Sequence, residues 1–293
     1  MPDTKIVINA PAKINLFLDV LDRDKKSYHS ILTVFQAISL FDTITITVQR
    51  SRVNRIVVNN RELQNRRNIV EDVLDIFKER YNINRKFTVK IEKRIPLGAG
   101  LAGGSSDAAA VICGINNILK LKLSGRELTN IAKEIGKDVP FFFHGSTQIG
   151  QGYGDRLKKI RTSLDYYILL IYPGFEISTK EGYRSLSARS FNKGNKEFKN
   201  MLRAFRSNDL FSMADSMYNV FEKNTFKKYP LLQDIKEDMI AGGAENALMS
   251  GSGSTVFGIT RDKKNAQNIN KKLKQKYKSA ILLKPLNDGL LIM

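Results

Sequence analysis

The sequence predicts a mixed fold of strands and helices, arranged in two halves that meet near residue 155. Three observations carry this reading. Strand signals with period-two alternation, such as Asp42-Thr-Ile-Thr-Ile-Thr-Val48 and Phe87-Thr-Val-Lys-Ile-Glu-Lys-Arg-Ile95, are interleaved with stretches of helical spacing at 68–81 and 105–119. Glycines at 145, 150, 152 and 154 then interrupt the pattern, which restarts at about Leu157. At 293 residues, the chain has room for one large or two medium domains.

Taken in order, 5–10 and 12–21 read as two strands broken at Pro11, because proline has no N–H for a ladder bond. A polar turn spans 22–27, followed by strands over 28–38 and 42–48 and a short one at 55–59. The helix over 68–81 places Ile69, Val73, Ile76 and Phe77 on one face, with Asn68 able to cap it. Ser124-Gly-Arg-Glu127 has capping-box spacing for a helix that ends near Gly136. In the second half, 166–172 reads as a buried strand closed by Pro173-Gly174, and helices are expected at 178–186, 196–206, 209–221 and 231–240. A second glycine-serine loop, Ala247-Leu-Met-Ser-Gly-Ser-Gly-Ser-Thr-Val-Phe-Gly258, feeds an apolar strand. A polar amphipathic helix over 262–277 and short strands at 280–283 and 289–293 complete the chain.

Composition narrows the function classes. Hydrophobic content of 42% and charged content of 26% are ordinary for a globular protein. No apolar run reaches the roughly 18–20 residues that span a bilayer, and the first residues enter a strand without an apolar signal core. A soluble, cytoplasmic protein without a membrane partner is expected. The single cysteine, Cys113, sits in an apolar helical run, which excludes internal disulfides and cysteine metal sites within the chain. The net charge of +19 admits a nucleic acid, an acidic surface or a polyanionic small substrate as partner. The basic residues are scattered along the chain and no RNP-like aromatic motif accompanies them, so a nucleic-acid-binding protein is the weaker alternative and no nucleic-acid partner is expected.

Three features carry chemistry. The run Pro96, Leu97, Gly98, Ala99, Gly100, Leu101, Ala102, Gly103, Gly104, Ser105, Ser106, Asp107 lies between a strand and a helix and is nearly free of bulky side chains. Glycines let the backbone approach an anion, and the first N–H groups of the helix point at it. No lysine follows the glycines, so it is not a G-x-x-x-x-G-K-[ST] loop, and no parallel βαβ units precede it as a dinucleotide fingerprint requires. Serine hydroxyls at the helix start are placed to reach phosphate or magnesium. Lys13 interrupts the apolar residues Ala12, Ile14, Leu16 and Leu18, where a lysine by itself reads as a solvated strand face. Asp138 sits beside Val139, Pro140 and three phenylalanines. It suits a desolvated general base, although alone it reads as a turn-initiating aspartate. Only His29 and His144 are available for histidine chemistry, and there is no cluster of metal-ligand spacing.

Pro11-Ala-Lys13-Ile-Asn15, the 96–106 run and Met249-Ser-Gly-Ser-Gly-Ser-Thr-Val-Phe-Gly258 together resemble the three ordered motifs of the GHMP small-molecule kinases. The resemblance implies an α+β, two-domain GHMP kinase fold. Residues 1–156 would form an ATP-binding domain like ribosomal protein S5 domain 2, and residues 157–293 a ferredoxin-like domain. It implies ATP with Mg2+ as cofactors, with the phosphates on residues 96–106. Tyr28-His29 and Gly136-Lys-Asp138-Val-Pro-Phe-Phe142 resemble the branch that phosphorylates cytidyl diphosphate methylerythritol, rather than a homoserine or phosphomevalonate kinase. The resemblance then makes Asp138 the acceptor of the 2-hydroxyl proton. Lys13 becomes its charge partner, Asn15 a substrate ligand, and Tyr28, His29 and Tyr183 the enclosure of the cytosine ring. Two departures stand out: Ser27 where the family has glycine before Tyr-His, and an idiosyncratic basic spacer over 49–67. Neither the oligomeric state nor the residues holding magnesium follow from the sequence.

Overall fold

The structure, a computed structural model, describes residues 5–23, 29–49, 53–60, 63 and 67–293. Two long antiparallel strands form its spine, β1 (Lys5–Arg23) and β2 (His29–Gln49). The break expected at Pro11 is absent. Pro11 pairs with Phe41 and Ala12 with Ile38, so Ser39 and Leu40 of β2 bulge out and β1 continues as one strand. A bulge tolerates a residue that cannot donate a ladder bond, so the proline marks an irregularity rather than an end. For the same reason, the strands expected over 28–38 and 42–48 are joined into β2.

β3 (Arg55–Val58) runs parallel to β4 (Lys86–Glu92), joined by α1 (Ile69–Tyr81). Asn68 and Glu71 close the capping box of α1. α2 (Gly103–Ile118) lies across β1 and β2, and α3 (Gly125–Ile135) carries the Ser124–Glu127 capping box expected from its spacing. A 3-10 turn, Val139–Phe143, leads into the hairpin of β5 (Thr147–Gln151) and β6 (Arg156–Ile160), which pairs with β2. The break near residue 155 therefore falls inside a hairpin of the larger sheet. The chain changes sheet between Ile160 and Tyr167.

The second sheet begins with β7 (Tyr167–Ile171), followed by α4 (Thr179–Ser185), α5 (Asn195–Ser207) and α6 (Leu210–Asp215). The helix expected over 209–221 ends at Asp215, and Tyr218–Asn219 form β8, parallel to Phe17–Leu18 of β1. The open edge of β1 supplies the reason: Val220 N–H donates to Leu18 O at 3.0 Å, a partner that a local pattern cannot anticipate. After α7 (Glu222–Lys228) and α8 (Pro230–Ala241) come β9 (Asn246–Met249), β10 (Val256–Thr260), α9 (Lys263–Lys276) and β11 (Ile281–Leu283). The order β11-β7-β10-β9 is antiparallel throughout, and it is the arrangement expected of a ferredoxin-like domain. The chain then returns to the first half, where β12 (Leu291–Ile292) pairs with β1.

Three apolar cores follow. One lies between the large sheet and α1–α3, and one packs the helices and sheet of the second half against Leu18, Val20 and Ile31 of β1 and β2. The third joins the halves, packing Ala12, Ile14 and Leu16 of β1 in one cluster with Ile168, Leu170 and Phe257. No helix among the described residues is long and apolar enough to cross a membrane. The packing of α2 on the sheet gives a direct test. A Cβ on Gly114 would lie 2.3 Å from Ile46 Cδ1 and 3.2 Å from Ile8 Cδ1. Gly114→Val overfills this contact and lowers stability by about 1–3 kcal/mol, read from the urea midpoint.

Candidate active site

Between β4 and α2, the chain turns through Gly98 (φ +56°), Gly100 (φ +77°) and Ala102 (φ 54°) in left-handed conformations. The helix begins at Gly103, two residues earlier than its spacing suggested, so Gly103 and Gly104 form its first turn. That turn carries no acidic side chain, and its unpaired N–H groups and positive dipole end make an anion seat. Pro96, Leu97, Gly98, Ala99, Gly100, Ala102, Gly103, Gly104 and Ser105 line a cleft of about 1320 Å³. Leu101 and Ser106 are buried beneath it.

The second glycine-serine loop braces the first. Ser250 Oγ donates to Gly100 O at 3.0 Å, and Thr255 N–H donates to Ala99 O at 3.3 Å. The backbones meet so closely that a Cβ on Gly100 would lie 2.1 Å from Ser250 O, a contact only glycine permits. Asn219 holds the second loop in turn, its amide donating to Met249 O at 2.7 Å and Gly251 O at 2.8 Å.

Under the loop lies a buried charge cluster. Lys93 donates to Asp42 and, at 2.8 Å, to Asp107. Asp42 also accepts from the N–H groups of Arg94 and Ile95 at 2.6 and 2.9 Å. Asp107 is less well served, since its Oδ1 is buried with no partner. Burial pushes the Asp107 carboxyl up to about 8; Lys93 pulls it down and Asp42 pushes it up again. Burial acts to lower the Lys93 pKa, but the carboxylates outweigh it and hold the ammonium above its usual value. One ammonium thus serves two carboxyl groups. Asp42, with its additional N–H donors, is the better paired of the two carboxyl groups, and burial favours the protonated form of Asp107. The cluster ties the start of the loop to the first helical turns beyond it.

Lys13 is not on a solvated face. β1 is buried on both sides here, and Lys13 is 4% exposed. Its ammonium donates to Asn15 Oδ1 at 2.7 Å and to Gly100 O at 3.0 Å, and it lies 5.6 Å from the centre of the Phe35 ring. Asn15 is oriented by its other end, where Nδ2 donates to Thr33 Oγ1 at 2.8 Å. With two of its three donors used, Lys13 faces Asp138, whose Oδ2 lies 3.9 Å away. Asp138 precedes the Val139–Phe143 turn and its side chain is one-third exposed, open to the cleft. Lys13 and Asn15 from one stretch of sequence and Asp138 from another therefore converge at the mouth of the anion seat.

On the far side of the cleft, His29 and Tyr183 stack on each other with centroids 4.5 Å apart and planes at 18°. Phe191 meets His29 edge-on at 5.9 Å, and Phe221 supports Tyr183 at 5.1 Å. The two stacked rings present one aromatic wall rather than separate jaws. Burial pushes the Tyr183 hydroxyl up to about 12, and the nearby charge of Asp138 adds to the effect. Tyr28 lies outside the described residues. His144 follows the 3-10 turn as its C-cap, its N–H donating to Phe141 O at 3.3 Å.

Comparison with known proteins matches this architecture. The family of GHMP kinases N terminal domains matches residues 68–146, and that of GHMP kinases C terminal domains matches residues 201–279. A 4-diphosphocytidyl-2-C-methyl-D-erythritol kinase from Clostridium tetani is 35% identical over 280 residues, covering 95% of this chain and 99% of its own. The chain belongs to the GHMP kinases. A kinase of the same name from Caldanaerobacter subterraneus is 36% identical, covering 99% of this chain and 100% of its own. A crystal structure of 4-(cytidine 5'-diphospho)-2C-methyl-D-erythritol kinase superposes with a TM-score of 0.81 at 28% identity, over 95% of this chain and 98% of that one. The homoserine kinase of Cytophaga hutchinsonii has a TM-score of 0.82 at 18% identity, over 100% and 98% of the two chains, and so shares the fold.

Several residues of this GHMP kinase site escaped the sequence reading. Asp42, Lys93, Thr33, Asn219, Phe191 and Phe221 belong to no local motif, and each matters through a partner far away in the chain. Only Lys93 left a trace, as a charge next to the glycine run. The burial of Lys13 yields a test in which activity and stability part company. Burial lowers its pKa below the usual 10.5, and Asp138 offsets this only in part. The folded state therefore holds the proton more weakly than the unfolded chain. The cost is fully present below the lowered pKa and is relieved as pH rises towards 10.5. Lys13→Met is expected to abolish turnover while leaving the urea midpoint at pH 7 unchanged or raised, since an apolar isostere removes a buried charge.

Proposed function

We propose that this chain transfers the γ-phosphoryl group of ATP to the 2-hydroxyl of 4-diphosphocytidyl-2-C-methyl-D-erythritol. The products are the 2-phosphate and ADP, in the non-mevalonate (MEP) route to isoprenoid precursors in the cytoplasm. The observation that carries the reading is the Lys13–Asp138 pair, set between an anion seat and an aromatic wall. The names of relatives matched over nearly the whole chain support it.

The residues divide the chemistry simply. The first turn of α2 and the loop before it bind the triphosphate through backbone N–H groups. Ser105 in the cleft and the buried, unpartnered Ser106 hydroxyl are hard oxygen donors at the helix start. No group of three His, Cys, Asp or Glu that could hold a metal occurs among the described residues, so magnesium would arrive chiefly on phosphate oxygens and water. Bound there, it neutralises charge on the phosphates. Asp138 receives the proton of the attacking hydroxyl. Lys13 pairs with that carboxylate at 3.9 Å and offers its remaining donor to the oxygens between the seat and Asp138. Asn15 and Thr33 fix the position of the ammonium. The wall of His29 and Tyr183, with Tyr28, takes the flat cytosine, which stacks at low entropic cost. A homoserine or phosphomevalonate acceptor has no ring to occupy that wall.

ADP release measured with each acceptor separates the readings. Turnover is expected with the cytidyl substrate alone. Release that depended on homoserine or mevalonate phosphate would overturn the assignment, and tight, salt-sensitive RNA binding without turnover would return the nucleic-acid alternative. Asp138→Asn is expected to lower kcat by about 10²–10⁴ with substrate affinities preserved; a kcat near wild type would sink the base assignment. Tyr183→Ala is expected to raise KM for the cytidyl substrate by roughly tenfold, following the ~1–3 kcal/mol of a base–aromatic stack, and to leave KM for ATP unchanged.

A further inference from the structure

Asp138 makes no side-chain capping hydrogen bond at the head of its 3-10 turn, so the backbone of that turn sets its position. The turn is held from behind by the last residues of the chain. Leu290 N–H donates to Phe142 O at 3.2 Å. A Cβ on Gly289 would lie 2.2 Å from Phe142 O, and a Cβ on Gly145 would lie 2.2 Å from Asp288 O. Two backbones more than a hundred residues apart thus touch with no side chain between them, and each side of the contact needs glycine. Gly145 N–H also donates to Phe141 O at 2.9 Å, and Phe141 N–H to Asp138 O at 3.3 Å, so the seat connects to Asp138 through main chain alone. Buried Gln148 secures the same turn, donating to Phe141 O and Gly145 O at 3.2 and 2.7 Å.

The same segment reaches the other half of the pair. Leu286 N–H donates to Ala37 O at 2.8 Å, and Ala37 is the residue of β2 directly opposite Lys13. Gln36 Nε2 donates to Leu286 O at 3.0 Å. Residues 286–290 therefore bear on the supports of both Lys13 and Asp138, after leaving a sheet that belongs to the other half of the protein.

We infer that the segment 286–290, through the seat of Gly289 on Phe142 and Gly145, is a positioning element that sets the Asp138 carboxylate against Lys13. This rests on Asp138 as the base of the proposed reaction. Displacing the turn by a few tenths of an ångström changes the reach of a carboxylate that makes no side-chain hydrogen bond among the described residues, while the anion seat and the aromatic wall are built from other elements. The loss therefore falls on the chemical step and spares binding.

The test uses Gly289→Ala in the full chain, with ADP release, calorimetric titration of ATP and of the cytidyl substrate, and thermal unfolding. The expected result is a kcat lowered by roughly 10- to 100-fold, with both dissociation constants within about threefold of wild type. Leu290→Pro, which deletes the N–H donated to Phe142, is expected to behave alike and replaces the first variant if that one does not fold. In an Asp138→Asn background, Gly289→Ala is expected to produce no further loss, because the group it positions is already gone. An unchanged kcat, an equal weakening of both ligands, or the same fold-loss in the Asp138→Asn background would each overturn the inference. If Asp138→Asn is too slow to measure, the separation of kcat from affinity decides alone. If Asp138→Asn turns over like wild type, the base assignment fails, and a lowered kcat in Gly289→Ala would then be acting on another group, which overturns the inference as well.

Discussion

A buried ammonium is the constraint on which this site depends. Lys13 has been taken out of water on a strand that is buried on both sides, where oxygens meet it from three directions: the Asn15 amide, the Gly100 carbonyl and, at longer range, Asp138. None of these would justify the burial alone. Together they tie the spine of the large sheet, the glycine loop and the turn bearing Asp138 into one cluster.

The Gly100 carbonyl is the node of that cluster. It accepts from Lys13 on one side and from Ser250 of the second half on the other, and the Ser250 carbonyl occupies the space a Cβ on Gly100 would need. The glycine loop, Asp138 and the second half are therefore held in register by main chain, the buried Lys13 ammonium and the short Ser250 side chain. Such a site needs few moving parts. Phosphoryl transfer asks chiefly for positioning and for charges fixed in advance, and the long β1–β2 pair, the Asp42–Lys93–Asp107 cluster and the returning chain end all stiffen its surroundings.

Local signals were legible wherever the physics is local. The capping boxes at Asn68–Glu71 and Ser124–Glu127 form as their spacing requires, because both partners lie within one turn. Illegible features were those whose partner is distant. Tyr218–Asn219 looked helical and became a strand because β1 offered its edge. Pro11 looked like a strand end and became a bulge because β2 could spare two residues opposite it. Lys13 looked solvated, since strand alternation says nothing about a second layer covering the polar face.

The sequence by itself determined the glycine loop at a helix start, Lys13 and Asp138 as the charged residues to watch, most of the helices and the family to which the chain belongs. Those depend on residue type, on spacing within a turn or two, and on motifs read in order. Only the tertiary structure decided that Lys13 is buried, that His29 and Tyr183 stack into a single wall, that Lys93 serves two carboxyl groups, and that the chain end seats against the turn of Asp138. Each is a contact between residues far apart in the chain, with an energy set by desolvation and close approach, and neither can be computed until the layers have closed on one another.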